Sequence, residues 1–239
     1  MKQLKVFTIM LVLAAGLFSC KKDIIGEGPI TTETRTVGSF TGIELQMNGN
    51  VYYRNDSAFK IEISARESIH NMLETKVVNG VLVVRYYDGK TYDNDESLRI
   101  TVSGPGLSRF VTNSSGNINA MTDINVSNLY VRSSGAGNIN LLNVNALSIE
   151  VESKQSGRIS AGSGKANTAN LRTEGSGTID LRYVEVKYAI AKLRGSNDIR
   201  LRVVDKLDVT VYGRGWMFYY GWPSVDGTVL GSGKIVRGE

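Results

Sequence analysis

The sequence predicts an all-β protein. Its architecture is a right-handed parallel β-helix or β-solenoid of about 18–21-residue coils, preceded by a strand-rich N-terminal region. Three observations carry this. Apolar and polar residues alternate along much of the chain, the period of a half-buried strand. From residue 111 to 239 a Gly-x-Ile unit recurs at near-constant spacing. The chain also holds 26 glycines but only 3 prolines, which fits neither collagen nor a Pro-rich linker.

The elements follow in order. Residues 1–19 read as an export signal: Lys2 and Lys5 precede an apolar run from Val6 to Phe18. That run is shorter than the roughly 20 residues a membrane-spanning helix needs. It ends Leu17-Phe18-Ser19-Cys20, which resembles a bacterial lipobox, with Cys20 the lipidated first mature residue. The alternative is a secretory signal whose Cys is incidental. Several acyl chains on one Cys give stable membrane anchoring. Lys21-Lys22-Asp23 partly resembles the charged sorting signals of Bacteroidetes surface lipoproteins. Residues 20–36 then read as a polar, lipid-anchored tether.

Residues 37–110 form the strand-rich N-terminal part. Phe40, Ile43, Leu45 and Met47 open the alternation, and Phe59, Ile61 and Ile63 continue it. Asn79-Gly80 between two apolar runs signals a two-residue hairpin. Residues 68–73 give the one plausible helical turn, and 88–97 an exposed polar loop.

Residues 111–239 carry the repeat. Its apolar anchors are Ile118, Ile139, Ile159, Ile179, Ile199, Met217 and Ile235, spaced by 21, 20, 20, 20, 18 and 18 residues. Two residues before each anchor stands Gly116, Gly137, Gly157, Gly177, Gly215 or Gly233, with Asn197 the exception. Asn48-Gly49-Asn50-Val51 reads as an upstream copy. A second apolar strip precedes each anchor by about ten residues, as in Leu147, Ile149 and Val151 before Ile159. Two strands of about five residues bury no core alone, but stacked coils do. A glycine at minus two shares the anchor's parity, so it permits a bend and close backbone approach. Asn197 fits because Asn tolerates the left-handed region. Seven coils at the usual strand spacing make a rod of roughly 34 Å. The runner-up is an antiparallel sandwich, whose strands rarely share one Gly-x-Ile unit.

These residues resemble the GIN domain, the DUF2807 family of autotransporter-adhesin head domains. The resemblance rests on the repeated Ser-Gly-x-Ile text, Phe40-Thr41-Gly42-Ile43, the segment from Leu73 to Leu82, Gly104-Pro105-Gly106-Leu107 and Tyr220-Gly221-Trp222-Pro223. It spans residues 37–239 and implies a β-helical fold exported to the envelope. It brings no catalytic residues. Asn197 and Trp216-Met217-Phe218 depart from the usual repeat.

The single Cys excludes an intramolecular disulfide framework, and the single His excludes a His-rich metal site. Neither a cofactor nor a metal is expected. Removing residues 1–19 lowers the formal charge from +5 to +3, too weak and scattered for nucleic acid. The residues flanking each anchor point outward in two columns. One runs Asn119, Asn140, Ser160, Asp180, Arg200, Phe218, and the other Asn117, Asn138, Arg158, Thr178, Asp198, Trp216. Arg158, Asp180, Asp198 and Arg200 therefore share a face, either as a ligand site or as cross-strand ion pairs beside Asn ladders. No two carboxylates match on adjacent coils, which argues against the paired-acid chemistry of polysaccharide-cleaving β-helices. His70 reads as a surface residue. The aromatic run Trp216, Phe218, Tyr219, Tyr220 and Trp222 is an end cap, an oligomer interface or a stacking platform for sugars.

The expected function is a non-enzymatic adhesion or binding module, lipid-anchored at the outer membrane on its periplasmic or surface-exposed face. Its expected partners are the membrane through Cys20, a glycan or cell-surface ligand, and a second copy of itself. The alternatives are a self-associating structural envelope protein and, third, a polysaccharide lyase or hydrolase.

Overall fold

The computed structural model describes residues 26–87 and 98–239. Cys20 and the expected polar loop 88–97 lie outside the described residues. The chain runs through β1 (Ile30–Thr36), β2 (Gly42–Leu45), β3 (Asn50–Asn55), β4 (Lys60–Arg66), the short helix α1 (Glu67–His70), β5 (Leu73–Val78), β6 (Val81–Tyr86) and β7 (Arg99–Gly104). Next come β8 (Arg109–Thr112), β9 (Asn117–Ala120), β10 (Ile124–Ser133), β11 (Ile139–Leu141), β12 (Val144–Ser153), β13 (Arg158–Ala161) and β14 (Gly164–Thr173). The last elements are β15 (Thr178–Leu193), β16 (Asp198–Val211), β17 (Trp216–Tyr220), β18 (Ser224–Val229) and β19 (Lys234–Arg237).

These strands stack as a β-solenoid. Ile118, Ile139, Ile159, Ile179, Ile199, Met217 and Ile235 are register partners in one parallel ladder. All but Ile235 are fully buried. The second apolar strip forms a second parallel ladder, with Val131, Val151, Leu171, Ala191 and Val209 in register. Parallel pairing throughout the repeat excludes the sandwich, whose neighbouring strands would run antiparallel. The two ladders face each other, and their inward side chains make one continuous core.

The spacing change from 20 to 18 residues is absorbed at one corner. The β15–β16 register shifts between Leu181 and Glu185 and again between Val186 and Tyr188. Both ladders therefore stay in step on either side. Leu147 corrects the expected inward strip, because it is exposed. The pairing of β12 with β14 skips it, so 147 and 148 both turn outward at the corner before Ile149 re-enters the core.

The N-terminal part is not a separate unit. Val51 pairs with Ile118, so the upstream copy is a rung of the solenoid. That rung, β2 and β3, lies between β6–β7 on one side and β8–β9 on the other. The chain lays down one coil, leaves to build the end of the rod, and returns to stack on the opposite edge. The rod's N-terminal end is closed by antiparallel strands: β5 on β6, β4 on β7, and β1 on β4. The Asn79-Gly80 hairpin forms as expected, with both residues at positive φ (50° and 75°).

Two further expectations are corrected here. The expected tether, residues 20–36, does not extend through Ile30–Thr36, which pairs along all of β4. Arg35 pins this strand, donating to Glu33, to the carbonyls of His70 and Leu73, and to Thr75 Oγ1. His70 is not a surface residue. It is 8% exposed, with Nε2 3.0 Å from Thr31 Oγ1 and Nδ1 3.2 Å from Glu33. It belongs to the packing of this N-terminal cap.

The repeat glycines are required by contact rather than by dihedral angle. None of the six glycines two residues before the anchors from Ile118 to Ile235 has a positive φ, and neither has Asn197; only Gly49 of the upstream copy does, at 133°. A Cβ at Gly137 would overlap the carbonyl oxygen of Gly116 and lie 2.9 Å from its carbon. Gly116, Gly215 and Gly233 meet the backbone of the preceding rung in the same way. Asn197 is buried and earns its place differently. Its amide accepts from Thr173 and donates to the carbonyls of Gly175 and Arg194. On the earlier rungs Thr112, Ser133 and Ser153 donate instead to the carbonyls of Gly116, Gly137 and Gly157. This buried hydroxyl ladder satisfies carbonyls that turn inward at the bend, where an unpaired group would be costly.

Candidate functional site

The two outward columns assemble as the sequence predicts, in register along the anchor ladder. Their first half is an amide ladder. Asn117 Nδ2 donates to Asn50, Asn138 to Asn117, Asn140 to Asn119 and Ser160 to Asn140, all at 2.9–3.1 Å. These groups are spent on one another.

The second half is charged. Arg158 reaches one coil along to Asp180 at 2.6 Å, and Arg182 grips both Asp180 oxygens at 2.8–2.9 Å. Asp180 is only 5% exposed. Its burial opposes ionisation, but hydrogen bonds and charge from Arg182, then the charge of Arg158, outweigh that and hold it below the usual carboxylate range. Asp180 is thus a fixed anion with both oxygens taken, unsuited to giving up a proton. Arg200 and Asp198 pair more loosely, at 3.5 Å, and Asp198 also accepts the backbone N–H of Trp216.

The aromatic run continues these columns. Trp216 and Phe218 stack with ring centroids 5.7 Å apart and planes tilted by 30°. Arg200 lies over Phe218 at 5.2 Å and Lys234 over Trp216 at 4.9 Å. Trp222, on the following turn, is 80% exposed, and Arg237 stacks on its ring. Tyr219 packs against the core, and Tyr220 lies over Gly238. The run does not cap the rod's edge, because β19 pairs along β17 and forms the last rung itself. It is an outward face of aromatic rings interleaved with cations, next to that edge.

A depression on the second ladder escaped the sequence reading. A cavity of about 270 Å³ opens between two registered columns of β12, β14, β15 and β16. One column includes Thr168, Tyr188 and Lys206, the other Asn170, Ile190 and Asp208. A neighbouring, more open groove of about 610 Å³ runs past Leu147, Lys165 and Lys187. The signal was present in the residues flanking the second apolar strip, one step from those that flank the anchors. Among the described residues no group of three or more His, Cys, Asp or Glu stands close enough to hold a metal ion.

Residues 39–223 match the family described as "Putative auto-transporter adhesin, head GIN domain" (DUF2807). The chain belongs to the GIN domain family. The solenoid agrees with solved structures. A putative adhesin from Bacteroides fragilis NCTC 9343 superposes with a TM-score of 0.85 at 23% identity, over 90% of this chain and 99% of that one. A putative lipid binding protein from Parabacteroides distasonis ATCC 8503 gives 0.73 at 20% identity, over 91% and 100%. A putative adhesin from Parabacteroides merdae ATCC 43184 gives 0.71 at 20% identity, over 91% and 99%. At these identities the likeness establishes the shared fold. A comparison with curated proteins finds no match.

Proposed function

We propose that this GIN-domain protein is a non-enzymatic adhesion module of the cell envelope, lipid-anchored through Cys20, that binds glycans on its C-terminal aromatic–cationic face. One observation carries the reading. Trp222 is left 80% exposed beside Arg237, next to the stacked Trp216 and Phe218 with their own cations. Aromatic faces in water are costly to leave open and are suited to stack on the C–H faces of sugar rings. The surrounding Arg and Lys favour acidic saccharides. The family description, an adhesin head domain, supports the same class.

A glycan array probed with the mature chain tests this. Binding is expected, and Trp222→Ala and Trp216→Ala lose it while keeping the wild-type melting temperature. Binding that survives both substitutions overturns the assignment to this face. Protease shaving of intact cells tests the outward orientation, and a fully protected domain overturns adhesion to external surfaces.

Self-association without a foreign ligand is the second reading. The edge strand β18 favours it, since all six of its residues are exposed, Val225 and Val229 among them. Unpaired strand edges invite pairing with another chain. Concentration-dependent sedimentation, abolished by Val225→Lys, together with a silent array, would select this reading over the first.

A further inference from the structure

We infer that the depression around Tyr188 is a second saccharide site, built for a single neutral pyranose ring and separate from the Trp216–Trp222 face. The site lies on the other ladder, so it does not rest on the glycan reading given above.

The arrangement follows from the register. Thr168, Tyr188 and Lys206 are successive partners in one outward column, and Asn170, Ile190 and Asp208 in the next. Tyr188 and Ile190 therefore stand across the groove from each other on one rung. Both are about half exposed, although they flank the buried Ala189. The rung before them offers the Thr168 hydroxyl and the Asn170 amide. The rung after them offers Lys206 and Asp208, ion-paired at 2.9 Å. Those two outer rungs lie roughly 10 Å apart at the usual strand spacing. That is the span of a six-membered sugar ring with a hydrogen bond at each end.

The chemistry selects the ligand class. A sugar ring needs one apolar wall for its C–H face and a mixture of donors and acceptors for its hydroxyls. Tyr188 and Ile190 give the wall. Lys206 donates, Asp208 accepts, the Thr168 hydroxyl accepts while it donates to the Leu147 carbonyl at 3.4 Å, and Asn170 lines the same rung. A lipid chain would need a continuous apolar lining, which the polar rungs interrupt. An added peptide strand would need free backbone groups, but β14, β15 and β16 already spend theirs on parallel pairing. An anion would meet Asp208. The volume, about 270 Å³, lies just below the roughly 300–1,000 Å³ usual for small-molecule clefts, which suits one ring better than a long chain.

The test is saturation-transfer NMR on the mature chain with methyl α-D-mannopyranoside, methyl β-D-galactopyranoside and methyl β-D-glucopyranoside as probes. At least one is expected to bind saturably, with Kd in the millimolar range or tighter. Tyr188→Ala and Asp208→Asn should each weaken that binding about tenfold or more, in line with loss of one stacking or charge-assisted contact. Trp222→Ala should leave it unchanged. Tyr188 is exposed, so its substitution is expected to fold, and a circular dichroism melt checks this. Asp208→Asn keeps the shape and gives an independent reading. No saturable binding of any probe overturns the inference, as does binding that neither variant weakens. Binding lost in Trp222→Ala but kept in Tyr188→Ala would overturn it while supporting the aromatic face.

Discussion

Replacing Gly137 by Ala tests the physical claim that holds the solenoid together. The new methyl carbon would overlap the Gly116 carbonyl oxygen, and would lie 2.9 Å from both the Gly116 carbonyl carbon and the Ser114 carbonyl oxygen. Relieving even the latter two contacts to an ordinary separation of about 3.5 Å requires the rungs to part by about 0.6 Å. The bonds across this seam, Gly137 N to Ser114 O and Ile118 N to Asn138 O, are both 2.9 Å. Parting by that distance stretches them to about 3.5 Å, beyond useful hydrogen-bond range. Overpacking of this kind costs about 1–3 kcal/mol, and each weakened hydrogen bond about 1 kcal/mol. With two bonds weakened, the expected loss is about 3–5 kcal/mol. For a domain of this size that lowers the melting temperature by about 6–20 °C. The assay is a thermal or urea melt of the mature chain, with Gly38→Ala as control, since a Cβ at Gly38 meets nothing within 4 Å. Equal melting temperatures for the two variants would refute the close-approach account of the repeat.

Three further predictions follow from the same geometry. Asp180 titrates below its ordinary value in the folded chain, so its contribution is present above the unfolded pKa and is lost as pH falls through the folded one. Asp180→Asn is therefore expected to cost about 1–3 kcal/mol at neutral pH, and urea titrations should show this gap closing as the pH drops below the ordinary carboxylate range. Ser153→Ala removes the donor to the buried Gly157 carbonyl and should cost about 1–2 kcal/mol by urea denaturation, whereas Ser160→Ala, on the outer face, should stay within about 0.5 kcal/mol. Arg35→Ala cuts the bonds from β1 to α1 and β5, so amide exchange over residues 30–36 should accelerate while the anchor ladder stays protected.

Much of the fold was legible because a solenoid repeats one environment. Ile139, Ile159 and Ile179 occupy successive copies of the same buried position, so the core ladder is written as a period. The outward columns follow from strand parity, which puts Arg158, Asp180, Asp198 and Arg200 on one face, while the diagonal Arg158–Asp180 contact came from the structure. Asn197 marks the limit of local reasoning. Its departure from glycine was visible, but its reason was not. A left-handed residue was expected, whereas the buried amide exchanges hydrogen bonds with Thr173, Gly175 and Arg194. The Tyr188 groove was missed because it depends on which outward residues from four strands line up around a corner whose register shifts.

The sequence by itself determined what is periodic: parallel rungs, the buried Ile ladder, the glycine seams, the hairpin at Asn79-Gly80 and membership of the GIN family. Local spacing and parity suffice for these, because each rung contacts only its neighbours. Tertiary structure alone decided what the repeat does not encode. It placed the first coil between two later ones, turned Ile30–Thr36, the last residues of the expected tether, into the edge strand β1, and buried His70 against Thr31 and Glu33. It also left Trp222 open while closing the opposite end with antiparallel strands. Those outcomes depend on contacts between residues distant in sequence, whose partners no local pattern names.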